Sequence, residues 1–275
     1  MKKSVIPGLL WLLILLVFAA VILFPVVWAV CAAFKHPWEL VRQPGKLLAE
    51  DMFYLGNFSL VLGRMSFIRY FFNSLLTSAL VSVVRLLAAA LAAYAFVFFR
   101  FRLRRVIFML VLITMMIPPD ILVISNYRTV ASLGWTNTYL GVCVVAFVGA
   151  SQMFMLRQAF TQAPSSLSDA ARMDGCGDIM FLFRILLPKC RGVVYTLALQ
   201  VFINQWNAYL WPLLVTDRDE MRTLQVGITM LRNLESTNYE EILAGVILAL
   251  IAPLILLFVS RSLSKSIDND GALAG

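Results

Sequence analysis

Two polar stretches interrupt an otherwise oily chain, and their residue types and spacing could do chemistry. The first, Ser165 to Pro188, carries Asp169, Arg172, Asp174, Asp178 and Arg184. An unpaired charge in hydrocarbon costs roughly several kcal/mol, so this stretch belongs in water or against another protein. The second runs Asn204-Gln205-Trp206-Asn207-Ala208-Tyr209-Leu210-Trp211-Pro212. Amides inside an apolar segment need partners, and here Asn204 and Asn207 lie beside Trp206 and Tyr209. They could offer hydrogen bonds and a flat face to a sugar-like ligand, or act as glue between helices with an interfacial aromatic belt. Known catalytic patterns are missing. There is no G-x-x-x-x-G-K-[ST] loop, no H-E-x-x-H, no serine elbow and no C-x-x-C, so the chain is not expected to bind ATP in the P-loop manner, and a membrane-embedded enzyme is disfavoured.

Ser165 to Pro188 has the pattern of a short helix with defined ends. Ser166 and Asp169 form an S-x-x-D capping box after Pro164. Leu167, Ala170, Ala171 and Asp174 recur at helical spacing and share one face, whose alanines let a partner come close. Gly175 stands where a left-handed C-terminal cap is wanted. A second amphipathic piece, Asp178 to Leu187, is expected to stop at Pro188. Pattern alone leaves a solvated loop and a docking helix both open.

These stretches are positioned by membrane spans. The chain has 275 residues, 61% hydrophobic and 14% charged, with mean hydropathy +0.86; a soluble domain carries about 25% charged residues. At about 20 apolar residues per crossing, six spans are predicted, near 9–34, 71–98, 106–125, 139–160, 193–215 and 242–260. The fold expected is therefore all-α, a polytopic membrane protein with six transmembrane helices. The net charge of +8 follows membrane side. Lys2, Lys3, the Arg100–Arg105 cluster, Arg157, Arg172, Arg184, Lys189, Arg191, Arg261 and Lys265 lie at one set of ends, which predicts cytoplasmic termini and a cytoplasmic Ser165 loop. The Arg100–Arg105 cluster is read as an orientation anchor. No nucleic-acid motif accompanies the charge. The first span is read as uncleaved, because its apolar run is too long for a signal peptide and lacks a clean cleavage site.

Two charges fall inside or beside spans. Arg85 is either a cavity-lining charge, attractive to an anionic or hydroxyl-rich solute, or an internal ion pair or snorkelling side chain. Asp120 follows the tandem Pro118-Pro119, which breaks the backbone ladder; it is a pathway residue or a carboxylate at a wet helix end. Asn126 to Thr138 reads as an external turn region. Cys31, Cys143, Cys176 and Cys190 are apolar fillers with no metal-like spacing, and the lone His36 is a surface residue.

Asp169-Ala170-Ala171-x-x-Asp174-Gly175 followed by Ile185-x-Leu187-Pro188 resembles the EAA loop of ABC importer permeases, in register at Ala170, Ala171, Asp174, Gly175, Ile185, Leu187 and Pro188. Asp169 stands where Glu is usual, Cys176 where Ala is usual and Leu182 where Phe is usual. Trp206-Asn207-x-Tyr209-Leu210-Trp211-Pro212-Leu213 resembles the corresponding span of carbohydrate and glycerol-3-phosphate permeases, which turns the reading of that stretch toward a pathway lining. The resemblance implies the type I importer permease fold: an N-terminal helix and external loop over 1–70, a five-helix core over 71–265 with the coupling loop at 161–188, and a short cytoplasmic tail over 266–275. It implies a second, homologous permease subunit, two ATP-binding cassette ATPases that hold the ATP, an external solute-binding protein, and alternating access in a cell membrane. This chain itself would be non-catalytic and without a cofactor. Leu167, Asp169, Ala170, Ala171, Asp174 and Gly175 would couple to the ATPases. Arg85, Asp120, Asn204, Trp206, Asn207 and Tyr209 would line the path of a sugar, oligosaccharide or glycerol phosphate ester. The competing class is an ion-coupled secondary transporter using Arg85 and Asp120, which gives no reason for the Ala-Ala-x-x-Asp-Gly helix.

Overall fold

The computed structural model describes residues 5–43, 45–48, 54–64, 66–231 and 239–272. Among them every regular element is helical. In chain order the α-helices are α1 (Val5–Ala33), α2 (Pro37–Arg42), α3 (Gly56–Arg64), α4 (Phe67–Phe98), α5 (Arg104–Thr114), α6 (Val123–Ser132), α7 (Tyr139–Cys143), α8 (Ala150–Thr161) and α9 (Ser165–Met173). They continue with α10 (Asp178–Lys189), α11 (Arg191–Trp206), α12 (Leu210–Val215), α13 (Leu224–Leu231) and α14 (Tyr239–Ala272).

Three helical stretches are long and apolar enough to cross a membrane unbroken: Trp11–Ala33, Phe67–Phe98 and Tyr239–Phe258. Three further pairs of helices are apolar enough together but bend sharply at a short break. Arg104–Thr114 and Pro119–Ser132 meet at 88°, Tyr139–Ala146 and Ala150–Thr161 at 52°, and Asp178–Lys189 and Arg191–Trp206 at 87°. Up to six crossings result if each bent pair is taken as one; the third pair begins in the polar loop and so does not coincide with the span expected at 193–215. The first break has its cause in sequence. Pro118 holds an extended backbone (φ −61°, ψ 129°) and Pro119 opens a single 3-10 turn, because neither ring leaves an N–H for the ladder.

Four expected boundaries move. Residues 126–132, read as part of an external turn, are helical; the turn begins at Leu133, with Gly134 at φ +70°. The fifth span does not run unbroken to Val215, since the helix stops at Trp206 and resumes at Leu210. Pro188 does not end its helix: Phe181–Leu186 widens into a π-helical stretch and Leu187–Lys189 continues as α-helix. A π segment bonds further along the chain and accommodates a residue that an α ladder would reject. The last helix runs to Ala272, taking in most of the stretch read as a tail.

The chain forms two compact units. In the first, Met1–Ile68 with Gly227–Ile251, α1 points its apolar side chains outward, Trp11 67%, Phe18 62% and Ile22 67% exposed, as a lipid-facing helix does. Asn57 is fully buried and its amide donates to the carbonyls of Ala33 and Lys35, both at 2.8 Å. The second unit, Arg69–Val226 with Ala252–Gly275, contains the largest core. Ala89, Ala90, Ala93, Leu156, Phe160, Leu182, Leu186 and Leu197 pack there from α4, α8, α10 and α11. The alanines of α4 permit that close approach.

One end of this unit is held by Asn73, which is 3% exposed. Its amide donates to the carbonyls of Glu220 and Arg222, both at 2.9 Å, and its oxygen accepts from the Tyr139 hydroxyl at 2.7 Å. Nearby Tyr70 donates to Asp219 at 2.6 Å, and the Leu224 N–H donates to the Ser74 hydroxyl at 2.8 Å. Asn137, left-handed at φ 57°, accepts from the N–H groups of Asp217 and Arg218. Asn73→Ala removes three part-buried hydrogen bonds and is expected to lower the unfolding free energy in detergent by about 2–4 kcal/mol; a denaturant titration checks this.

Candidate functional site

The helix of the polar loop is built much as its sequence suggests, with one correction at its start. Pro164 occupies the N-cap with an extended backbone (ψ 135°) and no side-chain cap bond forms. The helix begins at Ser165, so Ser166 lies inside the first turn and the predicted capping box with Asp169 is absent. The C-terminal end is a full Schellman closure. Gly175 takes φ +72°, its N–H donates to the carbonyl of Arg172 at 3.0 Å, and the Cys176 N–H donates to the carbonyl of Ala171 at 2.9 Å. A side chain at Gly175 would meet no neighbour but would strain the left-handed backbone.

The residues expected to share one docking face are divided by the fold. Ala171 is 5% exposed and Leu167 is half-buried, both packed into the core of their own unit. Asp169, Ala170, Asp174 and Gly175 are exposed. Beside them Met173 stands 87% exposed, a side chain the sequence reading left unassigned. Ile179, Met180 and Phe183 extend the apolar surface along α10, where they border an open cleft of about 720 Å³ with Asp178 and Arg184.

The loop is fixed to α4 from below. The Tyr94 hydroxyl donates to Asp178 Oδ1 at 2.7 Å. The Tyr94 ring stacks on Phe98, with centroids 4.7 Å apart, and Phe98 meets Phe181 edge-on at 5.5 Å. Asp178 is the first residue of α10, so its carboxylate also faces the positive end of that helix. The sequence reading placed Asp178 at the start of an amphipathic piece but did not find its partner Tyr94, which lies 84 residues away and outside the recognised loop pattern.

The second site is a cavity of about 510 Å³ that forms where the spans break. Arg85 and Asp120 both line it, joined by Asn126, Ser151, Gln152 and Trp211. Arg85 forms no ion pair among the described residues. Its Nε donates to the Ala146 carbonyl at 2.6 Å. That carbonyl belongs to the last turn of a helix, where the ladder offers it no partner. Gly149 makes the approach possible: a Cβ there would lie 2.2 Å from Gln152 Oε1 and 3.2 Å from Arg85 Nε. Gln152, 3% exposed, accepts from Ser151 at 3.0 Å and reaches Gln200 at 3.5 Å.

The other pathway candidates lie outside this cavity. Trp206 is 1% exposed, against Phe202 at 5.9 Å and Phe71 at 5.4 Å, and is a core residue. Asn204, Asn207 and Tyr209 are exposed at or beside the break that follows α11, and Asn207 accepts from Gln225 at 3.4 Å. Trp211 supplies the aromatic surface of the cavity instead, and donates through its indole to the Gly141 carbonyl at 3.1 Å. The missed polar residues, Asn126, Ser151 and Gln152, lie in stretches whose sequence shows no pattern beyond isolated polarity.

The profile of the family described as binding-protein-dependent transport system inner membrane component matches residues 85–270. An sn-glycerol-3-phosphate transport system permease protein of Rhizobium meliloti (strain 1021) is 32% identical over 261 residues, 92% of each chain. An arabinooligosaccharides transport system permease protein of Halalkalibacterium halodurans is 32% identical over 263 residues, 94% of each chain. In fold, the chain is similar to a chain of a bacterial ABC transporter involved in the import of the acidic polysaccharide alginate. That match has a TM-score of 0.81 at 23% identity, covering 95% of this chain and 97% of the other.

Tyr94→Phe deletes the donor to Asp178 and is expected to loosen the start of α10 by about 1.5–3 kcal/mol. Hydrogen exchange of the amides over 175–182 should rise at least tenfold, with the amides of α8 unchanged.

Proposed function

The chain belongs to the binding-protein-dependent transport system inner membrane components, and from that membership we propose how it works: as one half of an importer's translocation path, driven through the loop at Ser165 to Pro188. The observation that carries this reading is the two-sided construction of α9. Ala171 is buried and Leu167 half-buried against the core of their own unit, while Asp169, Ala170, Asp174, Gly175 and Met173 stand free to meet a partner. A push on the outer face is then delivered to packed side chains and to the Tyr94–Asp178 bond. Interiors are stiff, so the displacement passes to α4 and α11 as a rigid movement.

The partners of this reading are a homologous second permease subunit, two cytoplasmic ATP-binding cassette ATPases and an external solute-binding protein. ATP is bound and hydrolysed by the ATPases; this chain carries out no chemical step and holds no cofactor. The termini and the loop lie on the cytoplasmic side, in keeping with the Lys and Arg distribution. Asp169 is placed to pair with a basic ATPase residue. Alternating access follows when the ATPases close and the permease pair opens outward.

The solute is a sugar, an oligosaccharide or a glycerol phosphate ester, in line with the names of the similar permeases. The cavity at the breaks suits such a solute. Arg85, Asp120, Asn126, Ser151 and Gln152 offer donors and acceptors for hydroxyl groups, and Trp211 offers a flat face.

Two experiments test the reading. Ala170→Trp is expected to abolish co-purification of the ATPases while leaving membrane insertion intact; an unchanged ATPase yield would count against the outer face of α9. In proteoliposomes, uptake of the bound solute should stop without ATP even when ion gradients are present, which an ion-coupled carrier would not do. Arg85→Gln in the same assay is expected to cut uptake about tenfold, the loss of one charged hydrogen bond, with assembly unchanged; full uptake would remove the cavity from the path.

A further inference from the structure

At the end of α4 the chain turns through Arg100–Phe101–Arg102 into α5, and the turn folds around a cavity of about 650 Å³. Arg100, Arg102, Arg104, Arg105 and, from α8, Arg157 line it, and no carboxylate among the described residues does. An orientation anchor needs charge near the membrane edge but no cavity. It also needs no contribution from Arg157, which lies more than fifty residues along the chain and converges on the same space.

The five guanidinium groups have no ion pair among the described residues. Arg104 reaches the Phe99 carbonyl at 3.5 Å, a weak bond. Arg157 is held with its guanidinium carbon 4.3 Å above the centre of the Phe108 ring, and its Nε is shut off from solvent with no hydrogen-bond partner. Like charges gathered around one space repel, and a buried donor without an acceptor is costly. A phosphate in the space relieves the repulsion, because its oxygens accept the forked N–H pairs that arginine presents.

The surroundings say where that phosphate comes from. Leu103, Val106, Met109 and Leu110 are 55–65% exposed beside the cavity, an apolar surface continuous with the mouth. Acyl chains fit such a surface; a soluble phosphate has no use for it. We infer that this cavity is a specific site for the phosphate headgroup of an anionic membrane phospholipid, with its acyl chains laid along α5 and with Arg157 as the fixed donor at its wall.

The test uses the purified full-length chain in detergent, mixed with equal amounts of dioleoylphosphatidylglycerol and dioleoylphosphatidylcholine, with lipid adducts read by native mass spectrometry. The phosphatidylglycerol adduct should dominate and should survive excess inorganic phosphate. Neutralising the whole Arg100–Arg105 turn would disturb membrane orientation, so the decisive variant is Arg157→Gln, which leaves that turn intact. It is expected to lower phosphatidylglycerol retention about tenfold, while Arg128→Gln on α6 leaves retention unchanged. Equal retention of the two lipids, retention untouched by Arg157→Gln, or displacement of the lipid by inorganic phosphate would each overturn the assignment.

Discussion

The hydrogen bond from Arg85 to the carbonyl of Ala146, 2.6 Å long, answers the constraint under which the whole core is built. Backbone polar groups within a bilayer must find partners inside the protein. A break between apolar helices frees several of them, and here helix pairs bend by 52–88° at such breaks. Arg85 closes one such carbonyl with a charged donor from the neighbouring helix. The bond stabilises the open backbone and keeps an otherwise expensive guanidinium inside the fold. The cavity lies at the break, and Gly149 leaves room there for the Arg85 side chain.

The polar loop obeys a different rule. Water or a partner surrounds it, so its shape comes from local closure rather than from the bilayer. Gly175 ends α9 by a left-handed turn, Tyr94 clamps the start of α10, and the π-helical stretch carries the chain past Pro188 into the right-angled bend before α11. These devices hold the elbow at a fixed angle to α11. Each of them removes a backbone or side-chain freedom at the elbow.

Much of this was legible in sequence. The all-α architecture, the approximate spans, the break at Pro118-Pro119 and the left-handed cap at Gly175 follow from hydrophobic run length and from the backbone preferences of proline and glycine. The family was legible from the Ala170-Ala171-x-x-Asp174-Gly175 pattern. Helix continuation through Pro188 was hidden, because a π widening depends on packing of Phe181, Leu182 and Leu186 that no local rule encodes. The inward turn of Ala171 and Leu167 was hidden for the opposite reason: periodicity defines a face but not which neighbour covers it. Trp206 looked like a ligand platform beside two asparagines; burial against Phe71 and Phe202 is a tertiary fact. The partners of Arg85 and Tyr94 lie 61 and 84 residues along the chain, beyond the reach of any spacing argument.

The pairing of Arg85 with Ala146 also bears on how the protein is made. Synthesis delivers the chain in order, so the guanidinium meets the membrane before its acceptor has left the ribosome. An arginine at the centre of a lone helix raises the cost of insertion by about 2.5–3.5 kcal/mol. The rest of Phe67–Phe98, with a mean hydropathy of 2.2 over its most apolar window, must carry that load alone. Biogenesis therefore places a demand on the apolar residues of α4 that the finished fold no longer reveals: they must be oily enough to hold a charge in waiting.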